Sequence, residues 1–154
     1  SQHPGEARYT DSVATARLEN DLRCTITGAD GASVTTDMPR SVGGRGQNPS
    51  PGWFWRAATA GCVATVTAMR AAREGVELSN LEVTVDSESD DRGILGMDDS
   101  VPAGPLSMRI RVRIVAPEAD ADQLRELASW GSDHCPMCDG IKRAVPVTLE
   151  IETG

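Results

Sequence analysis

The chain has 154 residues, of which 39% are hydrophobic and 25% are charged, and its net charge is −8 at pH 7. This composition is typical of one globular domain with a single core and excludes the low hydrophobicity of an intrinsically disordered chain. The negative charge argues against non-specific binding to nucleic acid or to an anionic membrane surface.

Residues 9–18, 22–27 and 32–37 are predicted to be short strands, with a turn at Gly31 before the third, so the chain is expected to open with a β-meander. Residues 39–49 are rich in glycine and proline and are predicted to form a loop.

A long helix is predicted to follow this loop. Ser50 is a good N-cap and Pro51 suits the first helical position, where its missing N–H costs nothing. Residues 53–74 contain no proline, and Gly75 is a good stop signal. The first half of this helix has almost no polar face, which predicts burial on most of its sides.

The remaining elements complete an α+β pattern. Strands are predicted at residues 81–87 and 107–115, the latter with the most regular alternation of apolar and charged residues in the chain. Residues 87–105 are acidic and are expected to form a loop or a hairpin connection. Two helices are predicted at residues 119–130 and 134–143, and a final strand at residues 145–152.

Targeting signals are not evident in the sequence. No apolar run approaches the roughly 18 residues of a membrane span, and residues 1–8 lack the pattern of a signal peptide. We therefore predict a cytoplasmic protein with a disordered tail at residues 1–8 and one domain at residues 9–154. In that compartment cysteines are expected to be reduced, catalytic or metal-binding. The four cysteines are Cys24, Cys62, Cys135 and Cys138.

Cys62 lies in the long helix, and sequence statistics favour a small buried hydrophobe there. It lies 11 residues after Pro51 (62 − 51), about 16 Å along a helix that rises ~1.5 Å per residue. The helix dipole acts only within the first turn, so a reactive Cys62 needs an arginine from elsewhere in the chain.

Cys135 and Cys138 belong to the run His134-Cys135-Pro136-Met137-Cys138. Pro136 at the first helical position would make Cys135 the N-cap, where a thiol pKa is lowered. A Cys-x-x-Cys at a helix start is typical of dithiol oxidoreductases, whereas a metal site with His134 lacks a fourth ligand. We rank redox chemistry above metal binding, and we predict neither a metal nor a cofactor. Packing is the expected role of Cys24.

Two of these segments resemble a known family. Residues 50–62, which read SPGWFWRAATAGC, resemble the long helix of the OsmC/Ohr proteins, the osmotically inducible and organic-hydroperoxide-resistance proteins. His134-Cys135-Pro136, with Val145-Pro146-Val147 after it, resembles their second cysteine motif. The two cysteines are 73 residues apart (135 − 62), and the resemblance covers roughly residues 9–152. It implies an OsmC-like α+β fold with an N-terminal β-meander, a long buried central helix, further strands and two C-terminal helices, formed as an intertwined homodimer.

The same resemblance implies a thiol-dependent peroxidase that reduces organic hydroperoxides. Cys62 would be the peroxidatic thiolate and Cys135 the resolving thiol, and a lipoyl-type dithiol or a similar thiol would reduce their disulfide. The family also uses an arginine from the meander to stabilise the thiolate. Arg23 is the best match, with Arg17 and Arg40 as alternatives.

Departures from the family pattern motivate other hypotheses. Family peroxidases carry a glutamate that holds the arginine, where this chain has Gly52. With Trp53 and Phe54, Gly52 is expected to line the substrate pocket. Cys138 stands where the family usually has no cysteine, so it either competes with Cys135 as resolving partner or packs. The alternative functions are a small-ligand-binding or redox-sensing protein with weak or no peroxidase activity, and a dithiol oxidoreductase that uses Cys135 and Cys138.

Overall fold

A computed structural model describes residues 7–154 of the chain. The chain divides into two compact units, one that ends at Phe54 and one that comprises Trp55–Gly154, and each is described by itself. Residues 1–6, most of the predicted disordered tail, lie outside the described residues. No helix between residues 7 and 154 combines the length and apolar character needed to cross a membrane.

The first unit contains the predicted β-meander. Its strands are antiparallel in the order β1-β2-β3 and comprise β1 (Thr15–Asn20), β2 (Arg23–Thr27) and β3 (Ser33–Thr36). The first strand begins six residues later than the predicted start at residue 9 (15 − 9). Thr15 already pairs with Thr27, the last residue of β2, so earlier residues have no β2 residue left to pair with.

Asp37, which is 2% exposed, organises the loop between the meander and the long helix. Its carboxylate accepts backbone N–H groups from Gln47 at 3.0 Å, Arg45 at 3.3 Å and Met38 at 2.8 Å. These bonds, led by that of Gln47, hold the pKa of Asp37 below its usual value against the opposing effect of burial. The loop is therefore folded around one carboxylate, because buried backbone N–H groups need acceptors.

The long helix α1 (Pro51–Glu74) begins and ends where the sequence predicts. The Ser50 hydroxyl accepts the N–H of Trp53 at 3.2 Å, and Gly75 follows with a left-handed φ of 72°. Burial is confined to one face, on which every fourth residue is covered: Thr59, Val63, Thr67 and Ala71. Burial on most sides, which the apolar sequence predicts, is therefore not reached within the single chain.

The second unit pairs two strands and adds three further helices. β4 and β5 form an antiparallel ribbon in which Asn80 pairs with Val115 and Glu88 with Ser107. A short helix, α2, occupies part of the predicted acidic loop. The elements after α1 are β4 (Asn80–Glu88), α2 (Asp91–Ile94), β5 (Ser107–Val115), α3 (Ala121–Asp133) and α4 (Pro136–Lys142).

The predicted strand at residues 145–152 is wrong for this chain, because the described residues form no strand after α4. Val145, Val147, Leu149 and Ile151 keep the alternation that suggested the strand, but they are 50%, 90%, 80% and 74% exposed. A strand requires an edge to pair with, and this segment is paired with none within the described part of the chain.

Helices α1 and α3 approach closely at Gly131. A Cβ at Gly131 would overlap the Thr67 hydroxyl oxygen and lie 2.9 Å from the Thr67 Cβ. The Thr67 side chain is fully buried, and its hydroxyl has no hydrogen-bond partner among the described residues. The contact therefore requires a glycine on α3, and it fixes how near the two helices come.

We expect Gly131→Ala to lower the free energy of unfolding by about 1–3 kcal/mol, the usual cost of overpacking a core. This loss is expected although alanine is the better helix former by about 1 kcal/mol. Urea denaturation followed by circular dichroism measures it.

Gly140→Ala in α4 is the matched control, because its nearest contact would be an ordinary 3.8 Å from the Val145 side chain. It should leave stability unchanged or raise it. Equal effects of the two substitutions would contradict the close contact at Thr67.

Candidate active site

Three of the four cysteines meet in the second unit. Cys135 is fully buried, Cys138 is 4% exposed, and both belong to one buried cluster with Val63 of α1. Cys62, half-buried, packs against this cluster. The aliphatic surroundings are completed by Val83, Ile110, Val112 and Met137. Two thiols 73 residues apart in the chain (135 − 62) are thus brought together in an apolar environment.

The helix geometry explains the position of each thiol. Cys62 directly precedes Val63, so its side chain lies beside the buried stripe of α1 and stays partly accessible. Cys135 is the N-cap of α4, as predicted, with Pro136 after it. Its Sγ accepts the backbone N–H of Cys138 at 3.4 Å, which takes the place of the usual hydroxyl or carboxylate cap.

The electrostatic surroundings of Cys62 favour the neutral thiol. Burial raises its pKa above the usual value of 9.0, and a hydrogen bond with the Cys135 thiol raises it further. The backbone N–H of Met137 acts in the opposite direction. Within Trp55–Gly154 no arginine contributes to the shift. The second unit alone therefore brings the thiols together without stabilising the Cys62 thiolate.

His134 is engaged in packing beside the cysteine cluster. Its ring stacks on Trp130 with centroids 3.9 Å apart and planes 13° apart. The guanidinium of Arg70 lies 5.0 Å from the centroid of the Trp130 ring, which suits a cation–π contact. Among residues 7–154, no three His, Cys, Asp or Glu side chains converge as a metal site requires.

Arg23, the predicted thiolate-stabilising residue, lies at the start of β2 and has two side-chain partners in the first unit. Its Nε is 2.9 Å from a carboxylate oxygen of Glu19, and its Nη1 donates to Asn48 Oδ1 at 3.0 Å. The hydrogen bond from Thr25, followed by that from Arg23, lowers the pKa of Glu19. The guanidinium is thus held by one carboxylate and one amide.

Neither Glu19 nor Asn48 is predicted as a site residue from the sequence. The position of Asn48, before Pro49 and just ahead of the helix start, could have suggested a role for it. Nothing in the sequence distinguishes Glu19 from any other exposed residue of a hairpin. The alternative Arg40 is differently engaged, because its Nε donates to the carbonyl of Arg45 at 3.2 Å. Arg17 faces Thr25 across the β1–β2 ladder and is exposed.

The predicted pocket residues lie in the first turn of α1, within the first unit. Trp53 and Phe54 form an edge-to-face pair with ring centroids 5.1 Å apart and an angle of 84° between planes. Trp53 is 47% exposed, and Gly52 beside it offers no side chain. Their contact with a substrate stays a prediction. Cys24 pairs with Leu18 in the meander, half-buried, as expected for a packing residue.

Residues 44–150 match the family of OsmC-like proteins, which is more than half of the chain. The chain belongs to the OsmC-like family. This confirms the family that the two cysteine motifs suggested. No curated protein sequence matches the chain.

Solved structures of OsmC-like proteins share the fold. An OsmC-like protein from Mycoplasma pneumoniae superposes with a TM-score of 0.73 at 15% identity, over 88% of this chain and 89% of the other. The organic hydroperoxide resistance protein OsmC from Legionella pneumophila gives 0.65 at 18% identity, over 88% and 91%. The organic hydroperoxide resistance protein OhrB of Bacillus subtilis gives 0.58 at 20% identity, over 93% and 98%. These likenesses confirm the α+β class and the OsmC-like fold.

The closeness of the two thiols predicts that Cys135 affects the pKa of Cys62. We expect Cys135→Ala to lower the pKa of Cys62, because the interaction with Cys135 raises it. The pH dependence of iodoacetamide alkylation, followed on the tryptic peptide 57–70, reports Cys62 alone. Its midpoint should move to lower pH in the variant.

Cys24→Ala is the matched control, since Cys24 lies in the first unit and does not contribute to the pKa of Cys62. A midpoint that stays in place or rises in Cys135→Ala would show that the thiols do not interact.

Proposed function

We propose that this OsmC-like protein is a thiol-dependent peroxidase that reduces organic hydroperoxides through Cys62 and Cys135. The observation that supports it most is that the half-buried Cys62 packs against the buried apolar cluster to which Cys135 belongs. The Legionella and Bacillus proteins of the same fold are named organic hydroperoxide resistance proteins, which agrees with such a substrate.

In the first step, the Cys62 thiolate attacks one oxygen of the hydroperoxide O–O bond. That bond breaks, the alcohol leaves after taking up a proton, and Cys62 becomes a sulfenic acid. Val83, Ile110 and Val112 beside the thiol suit a hydroperoxide with an organic substituent better than hydrogen peroxide, because apolar pockets favour apolar groups.

In the second step, the Cys135 sulfur attacks the sulfenic sulfur of Cys62. A disulfide forms, and the hydroxyl leaves as water. Because Cys62 already packs against the cluster that holds Cys135 in the reduced protein, we expect this step to need little movement of α1 or α4. An external dithiol, of lipoyl type or similar, then reduces the disulfide and is itself oxidised. We place this cycle in the cytoplasm, where thiol pools are kept reduced.

Arg23 is proposed to supply the positive charge that this cycle requires. The raised pKa of Cys62 shows that its own unit stabilises the thiol rather than the thiolate. A guanidinium fixed by Glu19 and Asn48 is already oriented, so little entropy is lost when it meets an anion. Glu19 and Asn48 would therefore hold the arginine in place of the family's glutamate, at whose position this chain has Gly52.

The second candidate is a small-ligand-binding or redox-sensing protein with weak or no peroxidase activity. The raised pKa of Cys62 favours it, because a thiol reacts with peroxide far more slowly than a thiolate. The two candidates differ in whether substoichiometric protein consumes hydroperoxide in the presence of a dithiol.

We expect reduced protein to consume tert-butyl hydroperoxide catalytically when dihydrolipoate is supplied. Cys62→Ser should abolish turnover, because it removes the nucleophile. Cys135→Ser should leave Cys62 open to overoxidation to the sulfinic acid. Arg23→Ala should slow the first step by up to about tenfold for each unit by which it raises the pKa of Cys62, because less thiolate is present. Hydroperoxide loss and intact-protein mass measure these effects.

Cys24→Ser serves as the control, since this cysteine packs in the meander and should not affect turnover. Loss of hydroperoxide at the same rate in Cys62→Ser, or free thiols throughout after excess hydroperoxide, would refute the peroxidase and leave the binding function.

A homodimer is also proposed, and exposed apolar surface supports it. The C-terminal segment keeps a strand pattern whose apolar residues, from Val145 to Ile151, are at least half exposed. Met69 on α1 is 66% exposed. A second copy would cover such surface, because unpaired strands and apolar helix faces favour association.

Light scattering should give twice the chain mass of 16.3 kDa. Val147→Asp and Leu149→Asp together should shift the protein toward monomer, because they place charges on the apolar side of the segment. A paired substitution of its exposed polar neighbours, Thr148→Asp and Glu150→Asp, is the control and should leave the mass unchanged. A wild-type protein of single-chain mass would refute the dimer.

A further inference from the structure

We propose that Cys138 is a second resolving thiol, which takes over the disulfide from Cys62 and pairs with Cys135. This inference rests on the proposed function, because it needs a Cys62–Cys135 disulfide as its starting point. It assigns redox chemistry to a cysteine that stands where the family usually has none.

The contacts of Cys135 carry the inference. Its Sγ accepts the N–H of Cys138 at 3.4 Å, and both residues belong to one buried cluster. Cys62 packs against this same cluster, so all three thiols share one apolar environment. The Cys-x-x-Cys spacing places Cys138 one turn along the backbone from Cys135, and residues three apart on a helix are neighbours. This spacing is the one that reversible protein disulfides commonly use.

The step is an ordinary thiol–disulfide exchange. The Cys138 sulfur attacks the Cys135 sulfur, the Cys135–Cys138 bond forms, and the bond between Cys135 and Cys62 breaks. Cys62 leaves as a thiolate and takes up the proton that Cys138 has lost. The exchange consumes no oxidant or reductant, because one disulfide is replaced by another.

The second disulfide would be less accessible to external thiols than the first. The first disulfide includes the half-buried Cys62, whereas the second joins residues that are 0% and 4% exposed. The oxidised pair is thus moved to sulfurs that external thiols reach poorly, and Cys62 returns to the reduced state. Reverse exchange brings the disulfide back to Cys62, where a reductant gains access. Both sulfurs of the second disulfide belong to one helix start, so the bond does not have to draw α1 toward α4.

Peptide mapping separates the two disulfides cleanly. Trypsin places Cys62 in peptide 57–70 and both Cys135 and Cys138 in peptide 126–142. A Cys62–Cys135 bond therefore links two peptides, whereas a Cys135–Cys138 bond makes one peptide lighter by two hydrogen atoms. Reduced protein is treated with one equivalent of tert-butyl hydroperoxide, quenched at intervals with iodoacetamide and digested.

The expected result is an early linked pair of peptides that decays as the internal disulfide of peptide 126–142 accumulates with Cys62 alkylated. In Cys138→Ala and in Cys138→Ser, oxidation should stop at the linked pair of peptides. Two different substitutions are used so that a packing defect in one of them does not decide the result. Cys24→Ser should behave as the wild type.

A linked pair that persists in the wild type as in Cys138→Ala would overturn the exchange and leave the peroxidase intact. An internal disulfide that forms at the wild-type rate in Cys62→Ser would also overturn it, because the dithiol would then react directly. No disulfide in any variant, with Cys62 unmodified, would overturn the proposed function itself.

Discussion

The close contact between Gly131 and Thr67 is the constraint on which the second unit depends. It lets the backbone of α3 reach α1 at a point where any side chain on α3 would collide with Thr67. Val63 lies one helical turn before Thr67 on α1, and Cys135 follows the end of α3 at Asp133 by two residues. Val63 and Cys135 are both fully buried and belong to one cluster. The close approach at Gly131 and the cysteine cluster are therefore neighbours along both segments of the chain.

The packing that unites the thiols also raises the cost of ionising one of them. Burial is the largest reason for the raised pKa of Cys62, and the neighbouring Cys135 adds to it. A buried thiolate is stabilised by nearby positive charge or by N–H donors, and here the second unit contributes a single N–H, from Met137. A reactive Cys62 accordingly needs a positive charge that the second unit does not contribute, which is the role proposed above for Arg23.

This chain departs from the OsmC/Ohr pattern at two places, and the structure gives each a physical context. The resemblance leads one to expect a glutamate that holds the arginine where this chain has Gly52, and here Glu19 and Asn48 hold Arg23 from the meander and from the loop. That loop is itself ordered by Asp37, whose carboxylate collects three backbone N–H groups. Cys138 brings a third sulfur to the cysteine cluster, and its backbone N–H donates to the Cys135 Sγ.

Local sequence signals determined the elements that depend on neighbouring residues alone. Ser50, Pro51 and Gly75 set both ends of α1, and the alternation at residues 107–115 located β5 to the residue. Pro136 placed Cys135 at a helix cap for the same reason, because capping involves only the first turn.

Tertiary structure decided what depends on partners distant in sequence. No local sequence pattern relates the residues that meet in the folded chain. Examples are Cys62 near Cys135, Arg23 bonded to Asn48, and Gly131 against Thr67. The segment at residues 145–152 is a case in which a local pattern alone does not determine the structure. Its alternation is that of a strand, but a strand forms only where an edge is available, and the described chain leaves Val147 and Leu149 exposed.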